Sequence, residues 1–195
     1  MVKLAMESVV PSSQMRGESA SGTGDLRRML AEDERYITGF QWCKGVVASY
    51  FGLGVGGIVG VFLFQIRPNG TLAEEWVWVV VGDLPLAYIS TFDCPNPATA
   101  LDTYVGAMTD WVEAARAGVD VSELIPANVP PTAEFANSLE KRLHFIDEHI
   151  LTLLRHVFSE MGWILGFSER EQSNRHLRNP VPEPPSRQPS ADLAK

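Results

Sequence analysis

The chain has 195 residues, 24 of them acidic against 16 basic, for a formal net charge of −8 at 45% hydrophobic content. That length suits one domain with tails, and the acidic balance excludes the basic surface that nucleic acid or anionic lipid requires. The two cysteines, Cys43 and Cys94, fall in no CxxC or Cys/His ligand spacing, which points to free thiols in a reducing, cytoplasmic setting.

Residues 1–23 end in the small, polar run "SSQMRGESASGTG" and are expected to form a mobile tail. Glu7 interrupts their apolar stretch, which falls short of the roughly 7–15 continuous apolar residues of a secretory signal. A single domain is expected over 24–168, opening on a helix. Leu26, Met29, Leu30, Ile37 and Phe40 recur near helical spacing, and Gly39 and Gly45 both weaken the far end.

The next segment is "YFGLGVGGIVGVFLFQI". Gly52, Gly54 and Gly57 have the spacing of a dinucleotide-binding turn, and Gly45 to Ile66 is a run of 22 residues without a charge. A nucleotide turn needs a strand before its glycines and a helix opening on them. Here the helical pattern precedes the glycines and the strand pattern comes after them, so that reading fails. A membrane helix is disfavoured by six glycines in the run, each costing about 1 kcal/mol against alanine. The stretch is therefore read as the core of a sheet, with glycines that admit a bend or close helix packing.

Pro68-Asn69-Gly70 reads as a turn, "WVWVVVG" as the next strand, and "LAYISTF" as a third after the break at Asp83-Leu84-Pro85. A helix then starts at Asn96, with Pro97 in its first position and Gly118 closing it. Its stripe is Leu101, Tyr104, Val105, Met108, Trp111, Val112 and Ala115. After "IPANVPP" a long helix begins at about Thr132, with Phe135, Leu139, Leu143, Ile146, Ile150, Leu153 and Val157 at helical spacing. The expected fold is α+β: an N-terminal helix, a three-stranded antiparallel meander, then two amphipathic helices packed on the sheet. Residues 169–195 are proline-rich and polar, and are expected to be disordered.

The run "YFGLGVGGIVGVFLFQI…WVWVVVGDLPLAYI", with "ATALDTYVGAMTDWVEAARAG" behind it, resembles a bacterial family known as a domain of unknown function, with "VVVGDLP" its most recognisable piece. The resemblance spans roughly residues 35–150 of the chain. It implies a cytoplasmic α+β protein and carries no activity, cofactor or catalytic residue.

Several residues invite a chemical reading. Asp83 ends a very apolar strand and is a candidate pocket carboxylate; the same Gly-Asp-Leu-Pro is also ordinary turn chemistry. Cys94 lies just upstream of a helix start, where a thiol can be activated, although a buried hydrophobic role is commoner for free cysteine. His144/Glu148 and His156/Glu160 have i, i+4 spacing but no third ligand in any motif, so no metal or other cofactor is indicated. Trp76 and Trp78 share one face of a strand, which suits either core or an interface.

No catalytic set assembles from these residues, and an enzyme is not indicated. Ten acidic and four basic residues fall between Ala98 and Glu160, with Asp102, Asp110 and Glu113 off the apolar stripe of their helix. The functional expectation is a small acidic protein-binding module, of an immunity or accessory type, docking a basic protein through those acids with Trp76 and Trp78 in support. The alternative is a small enzyme or ligand-binding protein with a pocket near Asp83 and Cys94.

Overall fold

The computed structural model describes residues 3–70 and 74–160. In chain order they form β1 (Val10–Pro11), α1 (Ala20–Thr38), β2 (Cys43–Val55), β3 (Val59–Pro68), β4 (Trp76–Gly82), β5 (Ala87–Ser90), α2 (Pro97–Ala117), α3 (Ala133–Ile146) and α4 (Thr152–Glu160). The five strands make one antiparallel sheet in the order β1-β2-β3-β4-β5.

Alternation along the central strands divides the sheet into two buried faces. Val59, Val61, Leu63, Trp78, Val80, Ala87 and Ile89 point to one side and join the stripes of α2 and α3. Phe62, Phe64, Ile66, Val77, Val79 and Val81 point to the other, against Leu26, Met29 and Ile37 of α1. A sheet covered on both faces reads as continuous apolar sequence, which is why "VGVFLF" and "WVWVVV" show no polar alternation.

The α+β class is as expected, and the details differ. The sheet has five strands rather than three; α2 and α3 pack on one face of it, and α1 covers the other. The two additional strands are β1, within the segment expected to be a tail, and β2. Gly39 stops α1 at Thr38, and the glycine-rich stretch beyond it is extended. Val55 pairs with Val59 across the loop Gly56–Gly57–Ile58, where Ile58 N–H donates to the Val55 carbonyl at 3.0 Å and Gly57 has φ +76°. With Gly56 at negative φ and Gly57, the third of the four turn residues, at positive φ, the turn is of type II, which favours glycine at that place. Gly56 serves packing: a Cβ there would stand 2.6 Å from the backbone of Gly22 in α1. The uncharged run Gly45 to Ile66 is thus a β-hairpin, and no described helix is long and apolar enough to cross a membrane.

The packed chain begins well before residue 24. Leu4 and Val9 lie against the α2 face, and the Ala5 N–H donates to the Pro95 carbonyl at 2.8 Å. Val10 and Pro11 pair with Phe51 and Tyr50, and Met15 is buried on the α1 face. The N-terminal segment is a strap that wraps the β2 edge from one face of the sheet to the other. The expected C-terminal tail, 169–195, lies outside the described residues.

The long helix expected from Thr132 is continuous but not uniform. Between α3 and α4 the residues Asp147–Leu151 form a π-helical turn, whose extra residue rotates α4 relative to α3 about the helix axis. Ala136, Leu139, Leu143, Ile146 and Leu151 are therefore the buried positions, whereas Phe135 and Leu153, expected on the stripe, are exposed. The five-residue step from Ile146 to Leu151 is the sequence trace of that turn.

Candidate functional site

Helix α2 is fixed at both ends by its own sequence. The Asn96 side chain accepts from the N–H groups of Ala98 and Thr99, each at 3.0 Å, and Thr99 Oγ1 accepts in return from the Asn96 N–H at 3.4 Å. Gly118 ends the helix with φ +66°. Because Asn96 is buried, replacing it by alanine orphans two N–H donors, and Asn96→Ala is expected to cost about 1–2 kcal/mol. A thermal melt checks this, at about 2–4 °C per kcal/mol for a domain of this size.

With its apolar stripe turned to the sheet, α2 presents acids outward, and the ion pairs decide which of them remain uncompensated. Arg116 binds Glu140 at 2.5 Å and also donates to Asn137, tying α2 to α3. Arg142 Nε meets Asp83 at 2.9 Å, tying α3 to the end of β4. Arg155 contacts Asp102 at 2.5 Å and Asp147 at 3.0 Å, tying α4 to α2. The three arginines described between Ala98 and Glu160 are all engaged within the chain. Glu113, Asp120, Glu123 and Glu134 are exposed and form no ion pair among the described residues.

The surrounding groups tune these acids. Hydrogen bonds from Ser122 hold the Asp120 carboxyl below its ordinary value, and the Arg116 hydrogen bond does the same for Glu140. Asp110 is half-buried, and burial, with Glu113 adding a smaller repulsion, raises its pKa.

The other candidates fall apart in space. Asp83 and Cys94 lie at opposite ends of β5. Asp83 is exposed and paired with Arg142. Cys94 is buried, 3.3 Å from the Thr103 hydroxyl, and burial pushes its thiol up to about 11, the opposite of thiolate activation. Trp78 is fully buried and its indole N–H donates to the Cys94 carbonyl at 2.8 Å; Trp76 is half-buried, with its ring 5.9 Å from that of Tyr50. Asp102 is tied to Arg155 and is not a free surface charge. His144 stands 3.4 Å from Glu148, and among the described residues no three His, Cys, Asp or Glu side chains are grouped to hold a metal ion.

One group went unnoticed in the sequence. Asp33 is fully buried on the inner face of α1, and neither carboxylate oxygen has a hydrogen-bond partner among the described residues. Beyond it Tyr36, Phe40, Trp42 and Tyr88 form an aromatic cluster with ring centroids 5.0–5.4 Å apart. A signal existed: Asp33 falls between Met29 and Ile37 on the apolar stripe, where a carboxylate is out of place.

Scanned against protein-family models, curated proteins and solved structures, the chain matches none.

Proposed function

We propose that the chain is a protein-binding module that docks a basic partner on the acidic face of α2, α3 and the loop between them. The allocation of ion pairs carries the reading. The arginines there are consumed in tying the helices together, and Lys141 is the one other basic residue described in the region, so the exposed acids Glu113, Asp120, Glu123 and Glu134 project a net negative field. Such a field steers a basic partner and sets its rate of encounter. An immunity-type or accessory protein that caps a basic protein is one role of this kind. Asp110 lies half-buried at the margin of the patch, and Asp102 serves the helix pairing instead.

The triple variant Glu113→Lys, Glu123→Lys, Glu134→Lys tests it. Exposed pairs and charges contribute about 0–1 kcal/mol each, so its melting temperature is expected to stay close to that of the parent chain. As bait in an affinity capture from the native cell, the parent should retain a basic protein that the variant loses. Association with the captured protein should slow by about tenfold or more at low salt, and the two rates should converge at high salt. Equal association rates at low salt would reduce these acids to solvating residues.

A further inference from the structure

The outer edge of β2 is covered along part of its length only. β1 pairs with Phe51 and Tyr50, and the hydroxyls of Ser12 and Ser49 lie 2.8 Å apart. Beyond that point, Lys44 to Ala48 has no backbone partner on its outer side among the described residues, the Cys43 N–H being taken by the Phe40 carbonyl at 3.0 Å. An open groove of about 530 Å³ runs beside it, walled by Val46–Ser49 of β2 and by Ala31, Glu34, Arg35 and Thr38 of α1. Val47 falls at a register shift between Val46 and Ala48, so it lacks a partner on β3 and stands 53% exposed within the uncovered stretch.

We infer that this edge is a self-association surface. β2 of one copy pairs antiparallel with β2 of a second across a two-fold axis near Val47, joining two five-stranded sheets into one. Unpaired N–H and C=O groups along an edge are a template for another strand, and an antiparallel pairing of a strand with its own copy satisfies two-fold symmetry without further adjustment.

The charges on the groove wall favour a second copy over an unrelated strand. Glu34 and Arg35 are adjacent, and neither forms an ion pair within the chain among the described residues. A two-fold axis perpendicular to the sheet keeps both α1 helices on the same face and turns each acid toward the other copy's base. The pairing also closes at two. β1 occupies the rest of the β2 edge with a proline in its short span, and the opposite edge, β5, is only four residues long. The α2 and α3 faces of both copies then lie on the far side of the joined sheet, clear of the contact.

The same features have a competing use, since a bulge and an exposed lysine (Lys44) on an edge strand also discourage pairing. Sedimentation of the full chain at rising concentration separates the two. The expected result is a species of twice the 21.5 kDa chain mass. Val47→Lys, which brings two ammonium groups together at the axis, should return it to a monomer. Glu34→Arg and Arg35→Glu should each weaken the dimer, and the double swap, which restores complementarity, should recover it. Val47→Cys should cross-link on mild oxidation, against a background in which Cys43 and Cys94 are both buried. A chain that stays monomeric at every concentration overturns the inference and leaves bulge and lysine as protection. A dimer that persists unchanged in Val47→Lys overturns it as well, by placing the contact elsewhere.

Discussion

Trp78→Ala should destabilise the fold by about 3–5 kcal/mol, the range for removing a large aromatic from a core. Trp78 is fully buried at the centre of the sheet, paired in register with Leu63 on β3 and Ile89 on β5. Two losses combine. The cavity left by the indole faces α2, whose stripe cannot collapse far into it because the Asn96 cap and the Arg116 and Arg155 ties hold the helix in place. The Cys94 carbonyl also loses the indole N–H that donates to it at 2.8 Å. Trp78→Phe separates the two losses, keeping most of the volume and deleting the bond, with an expected cost of about 1–3 kcal/mol for the orphaned acceptor plus the smaller ring. Urea denaturation monitored by far-ultraviolet circular dichroism measures both. Equal costs for the two variants would assign the effect to the bond and not to packing.

Asp33→Leu should have the opposite sign. A buried polar group without a partner costs about 1–3 kcal/mol, so an apolar side chain of similar size should raise stability at neutral pH by that order. The pH dependence comes from the direction of the shift. Burial, with smaller repulsions from Glu32 and Glu34, raises the Asp33 carboxyl well above its ordinary value. Tyr36 also interacts with it, Tyr88 lies next to Tyr36, and both hydroxyls are themselves raised by burial. The sheet face opposite, Phe62, Phe64, Val77, Val79 and Val81, is apolar. The folded chain therefore keeps the Asp33 proton over a range of pH in which the unfolded chain, titrating at about 3.9, has released it. The stability contributed by this group is complete below that value and is lost as pH rises through the raised one. Melting curves from acid to neutral pH should show the gap between Asp33→Leu and the parent widening with pH and then levelling off. A gap constant across that range would mean that Asp33 titrates as an ordinary carboxylate.

Much of the fold is legible in the sequence because its signals are local. The Asn96-Pro97 start and Gly118 stop of α2, the strand character of "WVWVVVG" and the Pro68-Asn69-Gly70 turn each depend on residues within a few positions. The features that escape such a reading depend on partners distant in sequence. β2 resembles the frayed end of a helix because Gly45, Gly52 and Gly54 give no alternation, and only pairing with β3 makes the stretch a strand. The Gly-Gly at 56–57 is the available hairpin signal. The strap reads as a tail because its apolar residues, Leu4, Val9, Val10 and Met15, follow no helical or strand period, yet Met15 needs only one cavity to be buried. For the site, the excess of acids around α2 is visible as a count. The pairings that occupy Asp102 and leave Glu113 and Glu123 exposed depend on Arg155 and Arg116 reaching between helices, and no spacing along the chain encodes that.

The strap has a consequence for how the chain is made. Its anchor, Ala5 on Pro95, joins a segment made before the meander to one that emerges only after the whole meander. At about 5–20 residues per second of synthesis, the strap waits several seconds with its acceptor not yet in existence. Closing so long a loop is entropically slow, and such contacts form late. Interactions absent from the folding transition state act mainly on the unfolding rate. The strap is therefore a latch set last, one that lengthens the lifetime of the folded molecule without hastening its formation.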